Sequence, residues 1–370
     1  MKLTILQQDL IGPLQAVARS CGVKPSLPVL ANILLQTDQG RLKLSATNLE
    51  LGVIKKVKAT ISEEGEITVP ARTFTEVISS LSGESLEIES SGEQLKVSTA
   101  KFNATLNGIS ATEFPAIPLA SENSILVKAD LIHKSLPEIS FAAATDEGRP
   151  VLTGILTEIK DKTFELVATD GFRLAHKKID LEQSNTSFRS IIPRRTFEEV
   201  VKLIAEDLPV DGQIEVSTSE SQNQIIFKVG QTEVSSRLIE GQFPNWEKII
   251  PTTSVCRATL ERSELVKATK LASVFARGEA ANIIKLNLSA GKLIITSEAR
   301  ELGTQETTLS GEIEGEDLTV AFNSKFLTEA LANCSSSQIL MEFSGNLSAA
   351  LIKPVGEVGL EYVIMPVRLS

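Results

Sequence analysis

Aromatic residues are scarce in this chain. They make up 4% of its 370 residues, with a single tryptophan and a single tyrosine. No aromatic ladder accompanies the basic residues, which disfavours stacking on single-stranded nucleic acid. Cysteine is equally sparse. Cys21, Cys256 and Cys334 are odd in number, lie far apart and form no C-x-x-C pair. That argues against a disulfide framework or a zinc site and favours a reducing compartment. The two histidines, His133 and His176, sit neither in H-E-x-x-H nor beside a nucleophile. A G-x-S-x-G elbow, a P-loop and a G-x-G-x-x-G turn are missing too, so neither catalysis nor a cofactor or metal is expected. No apolar run reaches the ~18 residues of a membrane span. The stretch from Met1 to Asp9 interrupts its apolar run too early for a secretory signal. The expectation is a cytoplasmic protein without enzymatic activity or membrane contact.

What the chain does have is apolar mass and acid. Apolar residues reach 42%, enough for sizeable cores, and the length suggests two or three domains. With 37 basic and 47 acidic residues the net charge is −10. On its face this opposes phosphate binding. The distribution is uneven, however. Arg19, Lys24, Arg72, Arg194, Arg195, Lys202, Lys267, Lys270 and Arg277 gather on or beside predicted helices, whereas Glu63, Glu64, Glu312, Glu314, Glu316 and Asp317 fall on strands and loops. Either the helices are ordinary solvated faces, or they line one surface that meets phosphates.

One unit is written three times. Val69-Pro70-Ala71-Arg72-Thr73-Phe74-Thr75-Glu76 matches Ile192-Pro193-Arg194-Arg195-Thr196-Phe197-Glu198-Glu199 at an offset of 123, and Val320 to Glu329 is a looser third copy. Each reads as a strand running into a helix. Thr73 with Glu76 and Thr196 with Glu199 are expected to form capping boxes, with Ser324 capping alone in the third copy. Each unit also opens with a short amphipathic helix. The first is expected to start at Asp9 with Leu10, Leu14 and Val17 inward. The second starts at Asp130 with Leu131 and Ile139 and is shortened or kinked by Pro137. The third starts at Ser263 with Leu265, Ala268, Leu271, Ala272 and Phe275. The expected class is α+β, three similar domains (1–122, 123–251 and 252–370), each with antiparallel sheets and two helices. Repeats in a row meet head to tail, as a ring if the rotation closes and as a filament if it does not.

The stretch that organises the chain is Glu165 to Leu174. Alternation about Asp170-Gly171 predicts a β-hairpin. Weaker relatives stand at Leu44 to Leu51 and at Ile294 to Arg300. His176, just past the turn, reads as a surface or edge-strand histidine. A hydrolase built around Asp170 and His176 is a distant reading, and a rigid interaction scaffold is a nearer alternative.

Five motifs in order carry a resemblance over the whole chain: Leu27-Pro28-Val29-Leu30, Val69-Pro70-Ala71-Arg72, Ala168 to Leu174, Phe243-Pro244-Asn245-Trp246, and Tyr362 to Leu369. The chain resembles the bacterial DNA polymerase III beta subunit family of sliding clamps. The resemblance implies a homodimeric ring of six similar domains around duplex DNA, with a clamp loader that opens it and no catalysis. It also implies a groove for a short peptide motif carried by the polymerase III alpha subunit, other polymerases and repair proteins. Carried over by residue, the groove uses Leu152, Thr169, Gly171, Phe172, Arg173 and Leu174, then Pro244, Lys248 and Ile249. The third unit adds Leu347, Ala349, Val363, Met365, Pro366, Val367, Arg368 and Leu369. Lys24, Arg72, Arg149 and Arg194 match positions that face DNA. Phe172 stands where many relatives have His, Trp246 replaces Tyr, and Lys248 stands where Arg is common. Pro150-Val151 replaces a frequent aromatic pair. The implied groove is more apolar and bulkier than usual.

Overall fold

In the computed structural model, residues 1–22, 25–120, 124–181, 187–208, 212–219, 223–276 and 282–368 are described. The first repeat opens with β1 (Lys2–Leu6) and α1 (Gln7–Ala18). Strands β2 (Asn32–Asp38), β3 (Arg41–Thr47), β4 (Leu51–Lys58), β5 (Thr60–Glu63) and β6 (Glu66–Pro70) lead to α2 (Ala71–Ser80). It closes with β7 (Ser85–Ser91), β8 (Gln94–Ser98) and β9 (Asn103–Asn107). The second repeat runs β10 (Ile125–Lys128), α3 (Ala129–Ser140), β11 (Gly154–Lys160), β12 (Thr163–Thr169), β13 (Arg173–Asp180) and β14 (Phe188–Pro193). There follow α4 (Arg194–Asp207), β15 (Gln213–Ser219), β16 (Gln224–Val229) and β17 (Thr232–Arg237). The third repeat runs β18 (Cys256–Glu261), α5 (Arg262–Phe275), β19 (Ile283–Ser289), β20 (Lys292–Ala299), β21 (Gly303–Ser310), β22 (Glu312–Gly315) and β23 (Leu318–Asn323). It ends with α6 (Ser324–Ala332), β24 (Gln338–Phe343), β25 (Ala350–Pro354) and β26 (Leu360–Ile364).

Two compact units emerge, Met1–His133 with Arg195–Leu238, and Lys134–Arg194 with Ile239–Ser370. The first holds a five-stranded sheet, β5-β1-β7-β8-β9, and an eight-stranded one, β10-β15-β16-β17-β4-β3-β2-β6. The second holds a nine-stranded sheet, β14-β11-β12-β13-β26-β25-β24-β18-β22, and a four-stranded one, β21-β20-β19-β23. The large sheets each draw on two repeats. β4 of the first repeat pairs antiparallel with β17, the last strand of the second. β13 of the second repeat pairs in the same way with β26, the last strand of the third. β4, β13 and β21 are equivalent, each following the hairpin of its repeat. β9, β17 and β26 are equivalent too, each ending its repeat. β9 and β21 are left at the ends of their sheets.

Helical spacing sets what is buried. Leu10, Leu14 and Val17 of α1 and Phe74 and Ile78 of α2 are fully enclosed. Truncating Phe74 to Ala costs about 3–5 kcal/mol at such a site. Several expected helix starts move. α1 begins at Gln7 and α5 at Arg262, ahead of Asp9 and Ser263. α3 begins at Ala129, one residue before Asp130, buries Ile132 and Leu136 with Ile139 while Leu131 is half-buried, and continues through Pro137 to Ser140. Leu271, expected inward, is exposed.

The capping boxes do not form. The residue before a proline is held in extended backbone, so each strand persists to Pro70 or Pro193 and the helix starts immediately after it. Thr73 and Thr196 thereby fall at the third helical position. Thr196 hydroxyl instead bonds Ser236 Oγ at 2.6 Å, Glu199 accepts from Arg19 Nε at 2.7 Å, and Glu76 accepts from Arg72 Nε at 2.9 Å. In the third copy Asn323, not Ser324, caps α6 by accepting from Lys325 N–H at 2.9 Å.

Candidate functional site

The predicted hairpin is present, with Thr169 opposite Leu174 across its turn. Thr169 Oγ1 donates to Arg173 O at 2.6 Å and accepts from Gly171 N–H at 3.0 Å. Asp170 Oδ1 accepts from the N–H groups of Phe172 and Arg173 at 2.9 and 3.0 Å. Gly171 sits at φ +91°, the left-handed region open to glycine.

Period-2 alternation then divides β13 between two faces. Leu174 and His176 take one face, and Arg173, Ala175 and Lys177 the other. On the first face Leu174 stands opposite Val363, which stands opposite Leu351. These three pack with Leu156, Val167, Ile191, Phe243 and Trp246 in one buried cluster. Val151, Ile239, Ile250 and Ala349 pack against its margin. Leu152 is buried nearby in chain. Of the other expected groove residues, Pro244, Lys248, Ile249, Leu347 and Met365 are exposed. An apolar floor with exposed apolar groups beside it suits the anchors of a short peptide, and the unbranched Met365 can adapt to several.

Arg173 does not belong to that wall. It is buried on the opposite face, with Nε on Asp170 Oδ2 at 3.1 Å, Nη2 on Phe141 O at 2.7 Å and Nη1 on Glu329. Its guanidinium lies over the rings of Phe326 and Phe141 at 4.7 and 5.2 Å. Each of its three nitrogens is bonded inside the fold, so it positions the turn. Thr169 is likewise buried and satisfied. Phe172 is 59% exposed and stacks on Phe326, the ring centres 6.4 Å apart. Phe326 was not among the expected groove residues. Its signal was the aromatic that follows each strand–helix join, Phe74, Phe197 and Phe326. The first two are core, and only the third reaches Phe172.

Two backbone bonds tether the tail. Met365 N–H donates to Phe172 O at 2.9 Å and Val367 N–H to Ala321 O at 2.8 Å. Pro366 between them is half-buried. Arg368 lines a polar basin of about 780 Å³ on the four-stranded sheet, with Lys285, Glu298, Arg300 and Glu306. Leu369 lies outside the described residues.

His176 overturns its expectation. It lies on a strand paired on both sides, between Val167 of β12 and Glu361 of β26, and is buried. Its Nδ1 is 2.8 Å from Glu361 Oε1 and its Nε2 3.0 Å from Glu165 Oε1, and its ring lies 4.4 Å from that of Trp246. Burial alone would lower its pKa, but the hydrogen bonds to Glu165 and Glu361 outweigh that and raise it above 6.5. The same bond holds Glu165 below the usual carboxylate range.

The residues expected to face DNA stand on several different elements. Lys24 and Arg277 lie outside the described residues. Arg72 projects into solvent from α2 and pairs with Glu76 in its own helix. Arg149 turns onto the hairpin, donating to Asp170 O at 2.6 Å. Arg194 is the first residue of α4. Arg19 is engaged by Glu199 and Glu206. Lys202, Lys267 and Lys270 are exposed on α4 and α5. Among the described residues no three His, Cys, Asp or Glu side chains are placed to hold a metal. Burial pushes the Cys21 and Cys334 thiols up to about 12, far from nucleophilic. No helix of the described residues is long and apolar enough to cross a membrane.

Comparison with known proteins is uniform along the chain. Residues 1–118 match the family profile of the DNA polymerase III beta subunit, N-terminal domain; residues 126–245 match its central domain, and 247–368 its C-terminal domain. The beta sliding clamp of Synechococcus elongatus is 31% identical over 380 residues, covering 100% of both chains. That of Staphylococcus aureus is 27% identical, covering 100% of this chain and 99% of the relative. Among solved structures, the Pseudomonas aeruginosa sliding clamp bound to griselimycin superposes with a TM-score of 0.93 at 29% identity, and the Bacillus subtilis clamp with 0.95 at 26%, each covering 100% of both chains.

Proposed function

Because the chain belongs to the DNA polymerase III beta subunit family of sliding clamps, we propose that two copies close into a ring around duplex DNA through β9 of one and β21 of the other. The chain acts as a DNA sliding clamp, a processivity factor. The observation that carries the seam is the repeat itself. The equivalent strands β4 and β13 are met by the equivalent strands β17 and β26. β21 and β9 are the remaining members of those two sets, and both are unpaired sheet ends. Joined across two chains, the four-stranded and five-stranded sheets complete a third sheet like the two shared within one chain. Repeats 1–122, 123–251 and 252–370 then become six domains of one closed structure. The ring carries no catalysis and works in the cytoplasm, where it slides on the replicating duplex.

The groove over Leu174, Val363 and Trp246, with Pro244, Ile249, Leu347 and Met365, takes the short apolar peptide of partners. These are the polymerase III alpha subunit, the clamp loader, and other polymerases or repair proteins. Phe172 and Phe326 offer it a flat second platform. Griselimycin is expected to occupy the same groove.

A topological assay tests the clamp. With net charge −10, open-surface binding to linear duplex is weak and salt-sensitive, losing about 0.9 log units per log unit of salt for each phosphate met. A closed ring stays on DNA without holding it tightly. Loaded by a clamp loader onto nicked circular DNA, the protein should survive high salt, leave when the circle is cut once, and stay if both ends are blocked. Equal salt-driven loss from circles and linear DNA would favour a scaffold that never encircles DNA.

A further inference from the structure

We propose that His176 is held as an imidazolium beneath Trp246 and acts as a positioning residue of the peptide groove, which binds well only while that charge is kept. The inference rests on the groove reading above. It starts from proton counting. Neutral imidazole has one N–H, and its other nitrogen offers a lone pair. Here both nitrogens face carboxylate oxygens, at 2.8 Å to Glu361 and 3.0 Å to Glu165. Both contacts are satisfied together when both nitrogens donate, which is the cation. The alternative, a protonated carboxylate, is opposed at Glu165, whose charged form is favoured first by the His176 bond and further by Lys178.

The place of this charge matters. His176 shares a sheet face with Leu174, two residues away on the groove floor. Its ring lies 4.4 Å from Trp246, tilted 40°, and a cation over an indole face is attracted to it. Trp246 is held by apolar packing in its cluster and by its ring contact with His176. The other charged groups around the pair are Lys178 beside Glu165 in register, Glu158 with Arg189, and the exposed Glu247 and Lys248 flanking Trp246. None stands on the imidazole nitrogens. When His176 loses its proton it keeps one carboxylate and sets a lone pair against the other, and Trp246 loses the cation beneath it.

Trp246 is the chain's one tryptophan, so its fluorescence reports the pair directly. The full-length protein is titrated from about pH 5 to about pH 9. Emission should rise in one step with its midpoint above 6.5, as the quenching imidazolium disappears. Affinity for griselimycin should fall about five- to tenfold across the same step. His176→Gln should abolish both transitions and bind weakly throughout. Glu165→Gln keeps one carboxylate contact and should shift the midpoint down, which gives a second reading if the first variant folds poorly. His133→Gln, at the only other histidine, should leave the step unchanged. A flat emission profile, or a step that survives in His176→Gln, overturns the charge. An emission step with unchanged griselimycin affinity overturns the positioning role. Griselimycin that binds at no pH, with the step intact, sinks the groove reading and the positioning role with it, while the cation stands.

Discussion

Thr47 and Thr169 hold the same turn in two different repeats. Thr47 Oγ1 donates to Leu51 O at 3.1 Å and accepts from Leu49 N–H at 3.0 Å, as Thr169 does with Arg173 and Gly171. Asn48 Oδ1 takes the N–H groups of Glu50 and Leu51, as Asp170 takes those of Phe172 and Arg173. The mismatch that bears on the backbone is at the turn's centre. Leu49 sits at φ +75°, where the second repeat has glycine, and its side chain is 47% exposed.

That mismatch predicts opposite effects for two swaps. A leucine in the left-handed region costs about 1–2 kcal/mol, and glycine returns about half of this through its unfolded-state entropy. Leu49→Gly should therefore raise stability by roughly 0.5–1 kcal/mol in urea unfolding. Gly171→Ala should lower it by about 1 kcal/mol, since alanine gains the strain and its Cβ meets Arg149 Nη1 at 2.7 Å. Equal and small effects at both sites would show that the two turns are not interchangeable.

The same comparison shows what the sequence could reveal. The repeat, the hairpins and the strand–helix joins were legible because each has a local cause: alternation, a turn glycine, or a proline that ends a strand. The capping boxes were misread because S/T-x-x-E names a spacing, whereas Pro70 and Pro193 decide where the helix starts. His176 was misread because a lone histidine after a turn carries no sign of its neighbours. Glu361 reaches it only through the β13–β26 pairing, across 185 residues. The motif places Arg173 in the groove, yet the partners that turn it away come from the turn after α3, with Phe141, and from α6, with Phe326 and Glu329.

Arg173 should behave as a structural clasp. Truncation to Ala strands Asp170 and Glu329 without their cation and removes stacking on Phe141 and Phe326. Breaking such a buried pair costs about 3–5 kcal/mol. Because Glu329 is 34% exposed, a loss near 2–3 kcal/mol is expected. Arg173→Lys should recover little of it, since one ammonium cannot span three acceptors and two rings. Chemical unfolding followed by Trp246 emission measures this. A lysine variant as stable as the parent would leave only a point charge to the role.

Stability should peak in a pH window set by His176 and Glu165. The raised His176 contributes stability fully below its unfolded value of 6.5, and loses it as pH rises through the folded value. The lowered Glu165 contributes above its unfolded value of 4.5, and loses it as pH falls through the folded value. Both contributions are whole between 4.5 and 6.5. The unfolding free energy of the parent minus that of His176→Gln should be largest there and shrink on either side. A difference that grows toward alkaline pH would mean His176 is kept neutral.

Deleting Met365 to Ser370 should abolish partner-peptide and griselimycin binding and leave the fold and dimer intact. The segment follows the last strand, and its described residues are tied back by two backbone bonds, to Phe172 and Ala321. A peptide with two or three apolar anchors gains roughly 1.5–3 kcal/mol from each, reduced by ordering, so the full chain should bind on the order of micromolar. Fluorescence anisotropy of a labelled peptide checks it. Undiminished binding to the truncated protein would move the site elsewhere.

The seam is open to a proline test. In an antiparallel ladder successive residues point their N–H groups to opposite sides, and proline is tolerated where that group faces away from the existing neighbour. On β9, Ala104 and Thr105 pair inward with Val97 and Lys96 of β8. One of the two must therefore direct its N–H to the open edge. At that residue proline leaves β8–β9 intact and removes a bond that only a partner's β21 accepts. Ala104→Pro and Thr105→Pro should thus differ. One should keep the parent melting temperature at low concentration yet sediment as a monomer, and the other should lose stability by disrupting β9 itself. The monomeric variant should also fail to stay on circular DNA, although its peptide groove still binds griselimycin. If both variants sediment as the parent dimer, the chains meet somewhere other than β9, and the third sheet inferred from the repeat does not exist.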